Sequence, residues 1–204
     1  MKKLSSLFGL CLHADYLHID DVSYCALRTG GALTLLFQHS NGERDWQRNL
    51  DFAAVPYPPE APLFRVHGGF FDAWKRVQTI VDYIIRDEGI RRVTVAGYSH
   101  GGALALLCHE YILRDRPDLA EYINSVSYGA PRVVAAGISD ELALRWARLI
   151  AVRNEGDIVT QMPPRILGFA HVGQPLLIGQ AGKYGPFEAH RAESYLTELE
   201  LLGL

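Results

Sequence analysis

No stretch of this 204-residue sequence is apolar for the roughly twenty residues that a membrane-crossing helix needs. Basic tracts are missing and the formal net charge is −3, so nothing points to a nucleic-acid partner. Internal repeats and low-complexity segments are absent, which removes solenoid and linker readings. Cysteine is scarce: Cys11, Cys25 and Cys108 form an odd, scattered set with neither a disulfide framework nor metal-ligand spacing. Cys25 and Cys108 sit in apolar stretches and read as buried small hydrophobes. His67, His100 and His171 lack ligand spacing with carboxylates, so no metal site is implied. What remains is 49% apolar and 21% charged, the composition of one globular domain with a substantial core.

The first residues, MKKLSSLFGLCLHAD, imitate a secretory signal with two lysines and a short apolar stretch. Ser5 and Ser6 interrupt that stretch, and the residues before Asp15 make a poor cleavage site. The reading favours a short amphipathic segment and a cytoplasmic protein, with secretion as the alternative.

Along the chain, residues 21–28 and 32–38 read as strands joined by a Thr-Gly-Gly hairpin turn. Residues 40–64 end in AAVPYPPEAPLF, whose four prolines predict a loop or extended flap. Phe71, Trp74, Val77, Val81 and Ile84 form one stripe of a helix over 70–88, stopped by Gly89. Residues 92–96 form an apolar strand, and residues 100–114 a helix apolar almost all round, hence buried. A strand at 122–129 and a helix at 139–149 capped by Ser139 follow. Strands at 149–154 and 174–179 and a closing helix at 188–202 complete the pattern. Alternating strands and helices predict an α/β fold with a mostly parallel sheet, helices on both faces and an N-terminal antiparallel hairpin.

One junction carries chemistry. Gly97-Tyr98-Ser99-His100-Gly101 fits G-x-S-x-G and lies between a predicted strand and a predicted helix. The glycines permit a tight turn that lifts the serine hydroxyl clear of the sheet. The first free N–H groups of the helix then face whatever the serine attacks. A bare serine is a poor nucleophile, so a base and an orienting acid must follow, in the order acid then histidine. Asp157 sits in a loop just past the 149–154 strand, where a ligand-facing carboxylate belongs, with a turn-forming place after Gly156 as the alternative. Asp118 follows a helix and Asp140 lies in a helix first turn, which suits them less. His171 and His190 are the two histidines beyond Asp157. Position alone leaves both open: His171 lies in an apolar segment, and His190 at a loop-to-helix junction.

Six segments in order resemble the class 3 lipases of the α/β-hydrolase fold: LLFQHSNGERDWQRNLDF, VHGGFFDAW, VTVAGYSHGGALALL, SYGAPRV, RNEGDIVTQMPP with HVG, and HRAESY. The resemblance covers roughly residues 24–200. It implies Ser99 as nucleophile, Asp157 as orienting acid and His190 as general base, and it moves His171 to a structural place beside the site. It implies no cofactor and an ester or lipid substrate. The family's usual Phe-Arg-Gly-Ser/Thr is Phe37-Gln38-His39-Ser40 here. Ser40 would therefore supply one oxyanion donor and the His100 backbone N–H the other. The His100 imidazole is expected to point to solvent rather than to touch the acyl group.

The implied reaction is hydrolysis of carboxylic esters by a lipase or esterase, with phospholipase, thioesterase or feruloyl-esterase-like activity as alternatives, since the pocket sets the substrate. A non-catalytic lipid-binding descendant of the fold is a further alternative, supported only by the altered oxyanion segment. Residues 41–64 are the expected lid, with Trp46, Phe52, Tyr57 and Phe64 either lining it or anchoring it to the core.

Overall fold

The computed structural model describes residues 3–39, 52–135 and 137–204. Ser40, Trp46 and the rest of 40–51 lie outside the described residues. In chain order the elements are α1 (Leu4–His13), β1 (Leu17–Ile19), β2 (Val22–Thr29), β3 (Ala32–His39), β4 (Ala54–Tyr57) and β5 (Phe64–His67). Next come α2 (Gly68–Ile85), β6 (Arg92–Tyr98), α3 (His100–Asp115), β7 (Ile123–Tyr128), β8 (Val134–Ala135) and α4 (Asp140–Ala143). The chain closes with β9 (Leu149–Asn154), β10 (Phe169–Ala170), β11 (Gln174–Ile178) and α5 (Ala192–Leu201).

Seven strands form the central sheet in the order β1-β2-β3-β6-β7-β9-β11. The first three pair antiparallel, and Gly30 at φ +56° makes the tight turn between β2 and β3. From β3 onward every pairing is parallel. The two-residue period of the strands splits their side chains between two cores. Leu33, Leu35, Phe37, Val93 and Val95 face one way, with α2 and α3. Leu36, Ala96, Val126 and Val152 face the other, with α1 and α5. Helices thus cover both faces, as the alternation of elements requires.

The N-terminal segment is the helix α1, and it belongs to the core. Leu4, Leu7, Phe8 and Cys11, spaced three and four apart, are buried against the sheet. A ten-residue helix is marginal by itself in water. Burying side chains of this size contributes about 1.5–3 kcal/mol each for the larger ones, which decides in favour of the docked helix.

Four expectations need correction. The proline-rich stretch is not all loop: Ala54–Tyr57 pairs antiparallel with β5 in a second sheet ordered β10-β8-β5-β4. Pro56 is tolerated there because β4 is an edge of that sheet, where a missing N–H breaks no inner ladder. The helix expected over 70–88 ends at Ile85, before Gly89. The helix expected over 139–149 is only the four residues of α4 and a 3-10 turn, although Ser139 does cap it by accepting from the Leu142 N–H at 3.1 Å. The helix expected from 188 begins at Ala192, which leaves His190 in the turn before it.

Candidate active site

Three of the parallel strands, β6, β9 and β11, run into loops at one end of the sheet, and each loop delivers one polar side chain. This is the crevice outside the carboxyl ends of an α/β sheet.

The turn after β6 is built by its glycines. A Cβ on Gly97 would stand 2.1 Å from the Gly101 carbonyl oxygen, and one on Gly101 only 2.0 Å from that of Phe37. No side chain fits, so α3 can leave the strand this steeply only with glycine at both positions. The backbone of Ser99 is held at φ 56°, ψ −121°. That is a strained conformation for a residue with a Cβ, and such strain clusters at functional sites. The Ser99 N–H donates to the Tyr128 carbonyl at 2.8 Å, which fixes the strained peptide to β7. Ser99 itself stays partly open to solvent.

The Ser99 hydroxyl lies 2.9 Å from His190 Nε2. His190 Nδ1 lies 2.9 Å from Asp157 Oδ2. A carboxylate only accepts, so Nδ1 carries the proton and Nε2 accepts from the serine. Asp157 is fully buried, and its charge is met on both oxygens. Oδ1 accepts from the Val159 N–H at 2.8 Å, and Oδ2 also accepts from the Tyr195 hydroxyl at 2.6 Å. Burial and the neighbouring Asp157 charge push the Tyr195 phenol well above its ordinary value, so it remains a donor.

Sequence position left His171 and His190 open, and the fold separates them. His171 Nε2 meets the Thr160 carbonyl at 2.8 Å, on the loop that carries Asp157. Burial, with Arg153, Arg132 and Arg165 nearby, pulls its imidazole down to about 4 despite that bond. It is a neutral brace of the acid loop. Asp118 pairs with Arg116, and Asp140 sits in the exposed first turn of α4. The His100 imidazole does not point to solvent as expected: it is 8% exposed and packs edge-on against Phe70 with ring centroids 5.4 Å apart. The reason is local, since α3 is buried along its whole first turn. Its backbone N–H stands at the first helical position, where no intrahelical acceptor exists. Tyr57 and Phe64, the flap aromatics, are core residues packed on Phe71 and Trp146.

Several supporting residues escaped the sequence reading. Gly129, at φ +56°, leaves room for His190 and Tyr195; a Cβ there would lie 3.0 Å from the Tyr195 oxygen. Arg132 is buried and donates to the Pro163 carbonyl at 2.8 Å and to Gln161 Oε1 at 2.9 Å, which pins the far end of the acid loop. Asn154 Nδ2 donates to the Ala189 carbonyl at 2.9 Å, tying the end of β9 to the histidine turn. Tyr98 stacks on His190. For Tyr98 a signal existed: two residues past Ala96 on a strand, it must face the same side.

Residues 34–167 match the family described as Lipase (class 3). A lipase of Rhizomucor miehei is 31% identical over 145 residues, covering 69% of this chain and 40% of that protein. A secreted mono- and diacylglycerol lipase of Fusarium solani is 26% identical over 132 residues, covering 63% of this chain and 38% of that one. The solved Rhizomucor miehei triacylglyceride lipase superposes with a TM-score of 0.69 at 28% identity, covering 82% of this chain and 66% of that structure. The aligned region therefore takes in about two fifths of the curated relatives' length. A strained serine elbow, an acid and a histidine at one mouth of a parallel sheet, and a match over residues 34–167 lead to one assignment: this chain belongs to the class 3 lipase family.

Proposed function

We propose that the protein hydrolyses carboxylic esters, acylglycerols foremost, through an acyl-enzyme on Ser99. The observation that carries this is the continuous relay from the Ser99 hydroxyl through His190 to the buried Asp157, both links at 2.9 Å. His190 Nε2 takes the Ser99 proton as the serine oxygen attacks the ester carbonyl carbon. Asp157 holds the Nδ1–H tautomer and stabilises the imidazolium that forms. The carbonyl electron pair moves to oxygen, where the His100 N–H donates, with Ser40 as the second donor. Each such donor is worth about 3 kcal/mol in reactions of this class. The tetrahedral centre then collapses, Nε2–H gives its proton to the leaving alcohol, and water repeats the cycle to free the acid.

Relatives named as mono- and diacylglycerol or triacylglyceride lipases support the acylglycerol class. Relatives named as secreted favour secretion over the cytoplasmic location expected from the N-terminal residues. Tyr57 and Phe64 are committed to the core, so these two aromatics anchor the 41–64 segment rather than line a lid.

Hydrolysis of p-nitrophenyl esters from C2 to C16 by the wild type and Ser99→Ala tests the reading. Activity that vanishes in the variant, with fluorophosphonate labelling lost in parallel, supports it. A folded wild type that neither turns over nor labels refutes it and favours the lipid-binding alternative. A preference for long chains supports lipids as the substrate, and a preference for short chains supports small soluble esters.

A further inference from the structure

The hydrogen bonds at His190 lie at its two ring nitrogens, in the plane of the ring. By themselves they do not hold the ring against a tilt about the line joining the nitrogens, and Tyr195 meets the ring only edge-on, with centroids 6.5 Å apart. A tilt of this kind turns the Nε2 lone pair away from the serine proton, and proton transfer is steep in such geometry.

Tyr98 supplies the missing restraint in two independent ways. Its ring lies over the imidazole, with centroids 5.3 Å apart and planes 23° from parallel. Its hydroxyl donates to the backbone carbonyl of His190 itself, 92 residues away in sequence. One side chain thus covers the ring face and pins the backbone that carries it. It also belongs to the residue covalently joined to Ser99, so the serine and the histidine share one short mechanical link.

Tyr98 is backed in turn. Phe8 of α1, fully buried, meets its ring edge-on at 5.4 Å and 82°. Tyr195 of α5 meets it at 5.8 Å and 63°. α1 lies outside the residues that match the family, so this backing comes from a part of the chain that the match does not reach.

We propose that Tyr98 is a positioning residue for the general base, holding the His190 imidazole at the angle from which Nε2 takes the Ser99 proton. The proposal rests on the hydrolase reading above.

The test uses the full chain and its Tyr98→Phe and Tyr98→Leu variants, with kcat and KM on p-nitrophenyl butyrate and the rate of fluorophosphonate labelling at Ser99. Tyr98→Phe keeps the stacked ring and loses one hydrogen bond, so kcat falls about threefold to tenfold. Tyr98→Leu loses both restraints, and kcat and the labelling rate fall by about a hundredfold with KM within about twofold. A tyrosine that only fills the core would alter melting temperature and leave kcat of the folded enzyme alone. A folded Tyr98→Leu with wild-type kcat, or with its loss confined to KM, overturns the proposal. Should Tyr98→Leu fail to fold, an unchanged kcat in Tyr98→Phe does the same. An active wild type with fully active Tyr98 variants removes only this inference. A wild type that neither hydrolyses nor labels removes the hydrolase reading, and this with it.

Discussion

The Ser99 hydroxyl and His190 Nε2 are 91 residues apart in sequence and 2.9 Å apart in space. That contact exists because β6 and β11 end at the same mouth of the sheet, and because Gly129 leaves space for the imidazole between them. Its removal should be close to total. Ser99→Ala is expected to lower kcat/KM on a short p-nitrophenyl ester by at least about a thousandfold while the circular dichroism spectrum is unchanged.

The same serine carries strain. At φ 56°, ψ −121° both Ser99 and an alanine in its place are unfavourable, and only glycine is at ease. Ser99→Gly should therefore be more stable than Ser99→Ala by about 1 kcal/mol, after the extra unfolded-state entropy of glycine is subtracted. Thermal unfolding of the two inactive variants side by side measures it, and a higher midpoint for the alanine variant would show that the elbow is unstrained.

Asp157→Asn keeps the shape of the acid but can present its N–H₂ to His190 Nδ1, which favours the wrong tautomer. By analogy with other serine triads, kcat should drop on the order of ten-thousandfold near neutral pH. Oδ2 meets both His190 Nδ1 and the Tyr195 hydroxyl, so an N–H₂ in its place donates to the Tyr195 oxygen as well, while the asparagine oxygen keeps the Val159 N–H and holds the turn. A kcat within tenfold of wild type would remove Asp157 from the mechanism.

A separate ion pair tests the fold rather than the site. Glu110 of α3 is 1% exposed and receives the Arg145 guanidinium at 2.8 Å and 3.0 Å from Nε. Burial pushes its carboxyl up, and Arg145 pulls it back down. Arg145→Met leaves a buried carboxylate without its cation, at a cost of about 3 kcal/mol. Its raised value makes the sign clear: the penalty is full at neutral pH and shrinks as acid protonates Glu110. Urea midpoints of the variant and wild type at pH 7 and pH 5 should converge, and a gap that widens in acid contradicts this account.

Two neutral histidines set the acid limit of stability. Burial pulls both His109 and His171 from 6.5 down to about 4. His109 is enclosed by Ser125 Oγ at 2.7 Å and the Arg145 carbonyl at 3.0 Å. Their folded values lie below the unfolded ones, so the unfolded chain takes up protons first. Stability is full above about pH 6.5 and falls toward pH 4, with each histidine contributing on the order of 1 kcal/mol per pH unit across that window. A urea midpoint that stays level between pH 7.5 and pH 4.5 would refute the assignment.

Much of this was legible in the chain itself. The apolar run of β6, the glycines around Ser99 and the all-round apolar α3 can be read because each depends on neighbours a few residues away. The strand before Asp157 and the turn holding it are equally local. Residues 54–57 were harder, because an edge strand with a proline carries no local strand signal and exists only through its pairing with β5. The helix after Ser139 looked longer than it is, because propensity cannot register the tertiary demand that Trp146 turn into the core.

The sequence alone determined the kind of chemistry: a serine on a glycine-built elbow, with acid and histidine candidates in the right order. The resemblance singled out His190 over His171; the tertiary structure alone set His190 against Ser99 and Asp157, tied His171 to the Thr160 carbonyl, buried the His100 ring and packed Tyr98, backed by Phe8, on the His190 ring. Those contacts depend on which strand ends share one mouth of the sheet and which side chains meet across it. Such distances are set by packing between elements far apart in the chain, and no local pattern of residues encodes them.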